Sequence, residues 1–295
     1  MYHKGYGIIE TLAPLHVGAT AGEESGNLNL IFRDQFTQTG IIPGSSIRGR
    51  LRTEMRLRLR LAAGEKAGQN DKETQEPEEV KIWYGRGAEK DRKENYDYES
   101  AIKIEHASIV WLPVFCPGQP VVWVSSKLLL ERYKRIAGIQ SKVPDPYTSS
   151  TVLEARPLKK KKNKEVLFFN FGFLTIKYPK QDLKQWFPDR QEKPAVIVDD
   201  KEIGLIHDMA LYRQSHVALE LNSKVAANKA FFNVEALPEG TIMAFPLAMK
   251  PDKQWQDWKP LDGDQTGDIY LGGLESVGFG HCTMNIHQHL KQEGK

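Results

Sequence analysis

Ile42-Pro43-Gly44-Ser45-Ser46-Ile47-Arg48-Gly49-Arg50 is the stretch around which the rest of the chain can be organised. An apolar extended segment breaks at Pro-Gly, and Ser45 or Ser46 is a good N-cap for the helix that follows. From roughly Ser46 to Ala62, Ile47, Leu51, Met55 and Leu59 return at every fourth position, with Leu57 and Leu61 widening the apolar face. That is the helical period. A second stripe, Arg48, Arg52, Arg56 and Arg60, runs beside the first. Arg50 and Arg58 project toward the apolar side, so their guanidinium groups must snorkel to water or reach an anion. Six arginines stand against one acid, Glu54. Exposed backbone N–H groups, serine hydroxyls and first-turn arginines converge at the helix start. Such a site holds a phosphodiester backbone without reading its sequence. An ordinary cap with a solvated basic face is the competing reading.

Upstream, Tyr6 to His16 reads as a strand entering a turn at Val17-Gly18-Ala19-Thr20. Downstream, about 64–99 is polar and mainly acidic, with Ile82-Trp83-Tyr84 its main apolar anchor. It is expected to be a flexible insertion rather than a domain. Ile102 to Phe115 and Val121 to Val124 read as strands joined at Pro117-Gly118. Ser125 or Ser126 then caps a helix that stops at Gly138. The run Lys159-Lys160-Lys161-Lys162-Asn163-Lys164 reads as a solvated loop that would add salt-dependent affinity near a polyanion. Val166 to Tyr178 is strand-like, and Asp199 to Leu211 contains a short helix. Val217 to Leu221 and Ala230 to Val234 flank a polar loop, a hairpin signature. Thr241 to Met249 is another strand, and a final strand through Met284 and Ile286 follows the glycine loop Gly272 to Gly280. Strand, helix, strand, strand, helix, strand with inserted loops is the split βαβ or ferredoxin-like pattern, an α+β fold used by many RNA-binding domains.

The 295 residues carry a net charge of +3 with 27% charged residues, ordinary globular usage that argues against wholesale disorder or a fibre. No apolar run reaches the ~20 residues that span a bilayer, and Met1-Tyr2-His3-Lys4-Gly5 lacks the core of a signal peptide. A cytoplasmic location is the expectation, with no membrane partner. Cys116 and Cys282, far apart and outside any Cys-x-x-Cys spacing, are expected as core thiols rather than as a disulfide or zinc site.

Gly272, Gly273, Gly278 and Gly280 give a loop whose backbone can approach a phosphate closely, although a tight turn between strands explains such a loop equally well. No Lys-Ser/Thr follows and no helix opens there, which sets nucleotide-enzyme motifs aside. A lone histidine such as His16 is more often structural than catalytic. Asp34, Glu23, Glu24 and Glu235 are the acids nearest the motifs, without a spacing diagnostic of acid/base work. His287 and His289 lack a third ligand.

Three motifs in order, Leu12-x-Pro14-x-His16-Val17-Gly18, Ile42 to Gly49, and Leu271-Gly272-Gly273 through Val277-Gly278-Phe279-Gly280, resemble the RAMP superfamily of CRISPR systems. More narrowly they resemble the backbone subunit of the type III-B Cmr effector complex. Ala107 to Val114 with Val122 to Ser125, and Ala230-Phe231-Phe232 through Leu237 to Thr241, look like that subunit too. The resemblance implies a modified ferredoxin-like (RRM-like) palm spanning 1–295 as a single RAMP domain, with a thumb hairpin at about 215–234. It implies partners: a CRISPR guide RNA (crRNA), complementary target RNA, copies of the chain in a filament and other type III subunits. Ser45, Ser46, Arg48, Arg50 and Arg52 would grip guide phosphates, with Gly272, Gly273, Gly278 and Gly280 against the same backbone. Base pairing would supply specificity.

Cleaving relatives carry an aspartate in a Gly-x-x-Asp context after the His-x-Gly turn and use a metal ion. Here Gly26-Asn27-Leu28-Asn29 puts Asn29 at that place. Aligning on Arg33-Asp34 instead puts Leu28 there, again without an acid. An amide neither takes a proton nor offers Mg²⁺ a full charge, so the expectation is lost or crippled cleavage. Only Asn233-Val234-Glu235 survives of the aromatic and acidic run before Leu-Pro. The alternatives are a Mg²⁺-dependent endoribonuclease working through Asp34, Glu235 or His16, and a guide-processing ribonuclease using His16.

Overall fold

A computed structural model describes residues 1–18, 28–64, 76–85, 99–157, 165–219 and 226–289. The expected run 159–164, the acids Glu23 and Glu24 and most of 64–99 lie outside these residues.

In chain order the first elements are β1 (His3–Thr11), β2 (Leu28–Asn29), β3 (Ile41–Ile42), α1 (Gly44–Ala62), α2 (Glu78–Tyr84) and β4 (Ile102–Ile104). There follow β5 (Ala107–Cys116), β6 (Gln119–Ser126), α3 (Lys127–Ala137), β7 (Arg156–Pro157), β8 (Glu165–Phe169) and β9 (Gly172–Thr175). The last are β10 (Ala195–Val198), α4 (Ile203–Ala210), β11 (Tyr212–Leu219), β12 (Ala226–Ala236), β13 (Ile242–Met249), β14 (Thr266–Tyr270) and β15 (His281–Gln288). The molecule is α+β.

The main sheet runs β10-β6-β5-β13-β1-β15-β14, with β3 beside β5 and β4 beside β13. β1 is central and antiparallel to both neighbours, with Ile8 opposite Ala244 and Asn285. Alternation across β1 sends Ile9 to one face and Ile8 to the other. Ile9 joins the core containing Ile47, Leu51 and Met55 of α1, and Ile8 joins the core containing Leu130, Tyr133 and Ile136 of α3. The sheet is therefore a central layer with α1 on one face and α3 on the other.

Helix α1 follows the apolar stripe, and Ile47, Leu51 and Met55 are buried. Its start corrects the sequence reading. Pro43, not Ser45 or Ser46, occupies the N-cap with φ −55°, and no side chain caps the helix. The reason is packing: a Cβ on Gly44 would lie 2.3 Å from the carbonyl oxygen of Ile104. Only glycine lets the chain turn into the helix against β4, and both serines are left exposed. The described part of the acidic insertion is also more ordered than expected. Val80, Trp83 and Tyr84 of α2 are buried, and the Tyr84 hydroxyl accepts a hydrogen bond from Trp258 Nε1 at 3.2 Å. That burial pushes the Tyr84 phenol well above its ordinary range.

Other expectations are met closely. Ser126 caps α3 by accepting from the Leu129 amide, and Gly138 closes it in the left-handed conformation at φ 71°. The expected strand at 166–178 is instead the hairpin β8–β9. The expected hairpin is β11–β12, running from the pair Tyr212 and Ala236 outward, with a register shift between Val217 and Leu219. It is longer than 215–234 at its base, and residues 220–225 lie outside the described ones. Both cysteines are buried and free, and burial pushes the Cys282 thiol up to about 12. Among the described residues no helix is long and apolar enough to cross a membrane.

Truncating the α1 stripe tests this packing. Leu51→Ala at a fully buried position should cost about 2–5 kcal/mol in urea denaturation. Leu57→Ala, at an exposed position of the same helix, should stay within ~0.5 kcal/mol.

Candidate nucleic-acid interface

The glycine loop is held to the exit of β1 by backbone contacts that exclude side chains. A Cβ on Gly272 would lie 2.1 Å from the His16 carbonyl oxygen, and one on Gly280 would lie 2.3 Å from that of Leu271. Both residues have positive φ, 77° and 85°, a region glycine enters without strain. The Gly273 amide donates to His16 O at 3.0 Å and the Gly280 amide to Pro14 O at 2.9 Å. Gly273 and Gly278 face open space instead. Two of the four glycines thus answer to chain packing, and two leave bare backbone at the surface.

Two further contacts join this loop to the other motifs. Glu275, inside the loop, accepts from Arg50 Nη1 at 2.9 Å, and Arg50 Nη2 also meets Glu54 at 2.5 Å. Motifs 225 residues apart therefore share one surface. Phe279 is buried against Val234 and Ala236 at the base of the β11–β12 hairpin. Its ring lies 5.8 Å from that of His216, which stacks on Phe232 at 5.1 Å. Helix start, glycine loop and hairpin base form one continuous construction.

Arg48, Arg52 and Arg58 are committed locally. Arg48 donates to the Tyr84 carbonyl at the end of α2, and burial pulls its pKa below the ordinary value. Arg52 grips Glu76 with two bonds, 2.8 Å from Nε and 2.5 Å from Nη2. Arg58 Nη1 reaches the Lys259 carbonyl at 2.8 Å. Both side chains expected on the apolar side, Arg50 and Arg58, thus reach anionic or carbonyl oxygens. Ser45, Ser46 and Arg50 remain at the surface, whereas Arg48 and Arg52 brace α1 against the segment around α2.

The candidate catalytic residues divide. Asn29 pairs with Val234 through β2 and β12, one residue from Glu235. His16 is buried, and its Nδ1 lies 2.7 Å from the Glu235 carbonyl oxygen, which requires the proton on Nδ1. Asn29, His16 and Glu235 are therefore neighbours. Asp34 is not with them. Its Oδ1 accepts from the amides of Phe36 (3.0 Å) and Thr37 (2.8 Å) and from the Thr37 hydroxyl (3.0 Å), so it closes its own turn. Burial pushes this carboxyl up, but those bonds outweigh it and hold its pKa below the ordinary value.

Glu235 is 2% exposed and held from two sides. Arg33 Nη2 donates to Oε2 at 3.0 Å, and Arg213 donates to Oε1 from Nη2 at 3.0 Å. Arg33 also pairs with Asp208 at the end of α4. Beside it, buried His207 accepts from the Gly40 amide at Nε2, 2.9 Å away. The His207 ring, 3.7 Å from Asp208, and the Arg33 guanidinium hold the Asp208 carboxyl down to about 2. Burial lowers the His207 pKa in turn. This network of Arg33, His207, Asp208 and Arg213 around Glu235 was not legible in the sequence: Arg33 lies 202 residues from the Glu235 it holds, and it stands beside the acid that drew attention.

Mg²⁺ does not fit the described residues here. Asn29 offers a neutral amide, His16 Nδ1 is taken, and both Glu235 oxygens already accept from guanidinium groups, whereas Mg²⁺ favours carboxylates in near-octahedral geometry. Among the described residues no group of three His, Cys, Asp or Glu could hold a metal ion.

A mixed main sheet with α1 on one face and α3 on the other, and a glycine loop locked to the exit of β1, are the features to set beside known proteins. The model of the RAMP superfamily matches residues 8–283, and the chain belongs to that superfamily. Similar folds occur in the crystal structure of oligomeric Cmr4 from Pyrococcus furiosus, with TM-score 0.62 and 18% identity over 99% of this chain and 100% of that one. A chain in the cryo-EM structure of the type III-B Cmr-beta complex bound to cognate target RNA has TM-score 0.64 and 17% identity over 97% and 98%. The apo state of Cmr-beta gives 0.64 and 16% over 98% of both chains. No curated protein sequence matches the chain.

Two measurements test the network. Glu235→Ala leaves two guanidinium groups without their buried carboxylate and should cost about 3–5 kcal/mol in urea denaturation; a loss below ~1 kcal/mol contradicts the clamp. Asp208 has a folded pKa lowered from 3.8, so its contribution is full above pH 3.8 and is lost as pH falls toward about 2. Acid unfolding followed by tryptophan fluorescence should lose that component in Asp208→Asn.

Proposed function

We propose that the chain is a guide-RNA-binding backbone subunit of a type III CRISPR effector complex, a reading supported by the fold it shares with oligomeric Cmr4 and with a chain of the type III-B Cmr-beta complex bound to cognate target RNA. The observation carrying this reading is the Arg50–Glu275 contact, with the burial of Phe279 under the hairpin. It makes the start of α1, the glycine loop and the β11–β12 thumb one surface. Guide phosphates would run past the start of α1 at Ser45 and Ser46 and past the side-chain-free surface at Gly273 and Gly278. Arg50 would exchange Glu275 for phosphate, a ready exchange because an exposed ion pair contributes only ~0–1 kcal/mol. Arg48 and Arg52 would act by holding α1 in place rather than by touching RNA.

The palm is an elaborated ferredoxin-like plait in this reading, supported by the order β1, α1, β5, β6, α3, β13. Copies of the chain would repeat along guide and target RNA, with other type III subunits at the ends, in the cytoplasm. Base pairing would select the target and the protein would read backbone and shape. With Asn29 in the place of the acid and Glu235 neutralised by arginines, the chain positions target RNA without cutting it.

The complex purified from cells should carry a small RNA, and Arg50→Glu with Ser45→Glu should reduce its retention at least tenfold at moderate salt. Retention unchanged by that variant sinks the reading. Complementary RNA incubated with the complex and Mg²⁺ should stay intact; periodic products that vanish in Asp34→Ala would establish the ribonuclease instead.

A further inference from the structure

A cavity of about 280 Å³ opens between α3 and the start of β1, on the face of the sheet opposite α1. Lys4, Lys103, Arg132 and Arg135 line it, with Glu105 the one carboxylate among its lining residues. Lys4 lies eight residues along β1 from Leu12, roughly 26 Å at about 3.3 Å per residue, so the cavity is well separated from the glycine loop.

Its charge is uncompensated. Lys103 is paired with Glu99, a carboxylate it shares with Lys250. Lys4, Arg132 and Arg135 make no ion pair with any described residue. Among the lining residues, setting Glu105 and Glu99 against the four cations leaves two positive charges over, with Asp34 a further carboxylate that acts on Arg132. Arg132 is also fixed in place: Nε donates to the Ser108 hydroxyl at 2.8 Å and Nη2 to the His106 carbonyl at 3.2 Å. Burial, opposed by Glu105 and reinforced by Arg135, lowers the pKa of Arg132. Like charges held together in a partly desolvated hollow are stabilised by an anion.

We propose that this cavity is a phosphate-binding site, taking a phosphoryl group between Lys4 and the two α3 arginines. A dianionic phosphoryl group matches the surplus; a single carboxylate side chain leaves at least one charge uncompensated. The volume admits such a group with a few waters, each occupying about 30 Å³ in the liquid. Guanidinium forks suit phosphate oxygens. The two charges come either from consecutive phosphodiesters of an RNA backbone, one on each, or from the dianionic phosphate of a free small molecule. This site does not depend on the RNA reading of the opposite face.

Inorganic pyrophosphate titrated calorimetrically into the full chain at low salt is the test. Binding should weaken at least tenfold in Lys4→Glu and in Arg135→Glu, both exposed positions, with the urea midpoint unchanged. Displacement of pyrophosphate by a short single-stranded RNA assigns the site to RNA phosphates. Failure of RNA to displace it, with RNA still bound through the α1 face, assigns it to a free phosphate compound; either result supports the proposal. Absent pyrophosphate binding, or binding equal in both variants, overturns it. So does self-association that Lys4→Glu abolishes without any pyrophosphate binding, which would make the cavity a socket for an acidic side chain of a second copy.

Discussion

The approach of Gly272 to the carbonyl of His16 is the constraint from which the site follows. No side chain fits between them, so the loop before β15 and the exit of β1 are locked together by backbone alone. With the loop fixed, Glu275 stands where Arg50 can reach it and Phe279 where the hairpin base can bury it. Replacing Gly272 by any larger residue would separate three elements at once. Packing has the same effect at Gly44, where contact with Ile104 sets the direction in which α1 leaves the sheet.

Charge is distributed by the same logic. Two arginines of α1 are spent within the protein: Arg48 on a carbonyl and Arg52 on Glu76. A guanidinium with fixed partners loses less entropy on holding an element in place than a lysine would. Arg50, between Arg48 and Arg52 in sequence, meets the carboxylates Glu275 and Glu54 at the surface, and such partners can be exchanged for a polyanion. The Glu235 clamp belongs to the first kind. A carboxylate shared by two guanidinium groups from different parts of the chain ties the hairpin base to the segment around Arg33, because breaking one pair strands a buried charge.

Much of the fold was legible because it rests on local rules. The four-residue period of α1, the Ser126 cap and Gly138 stop of α3, and the Pro117-Gly118 turn each have one physical reading, and each is met. The cap of α1 was not legible, since the serines satisfy the local preference and only the tertiary contact at Gly44 displaces them. Val166 to Tyr178 looked like one strand because its hairpin turn at Asn170 lacks a strong turn signature apart from Gly172. At the site, the motifs were legible and their partners were not. Nothing local in the sequence says that Arg50 meets Glu275, or that Glu235, an apparent acid, is neutralised by Arg33 and Arg213.

The central claim is that the start of α1, the glycine loop and the thumb base form one RNA-facing surface. Ultraviolet cross-linking of RNA to the assembled complex, with the linked peptides identified by mass spectrometry, tests it most directly. The account predicts cross-links in the segments Gly44 to Arg52 and Leu271 to Gly280, together with the hairpin β11–β12. Cross-links confined to other surfaces, with these segments unlinked, would contradict it.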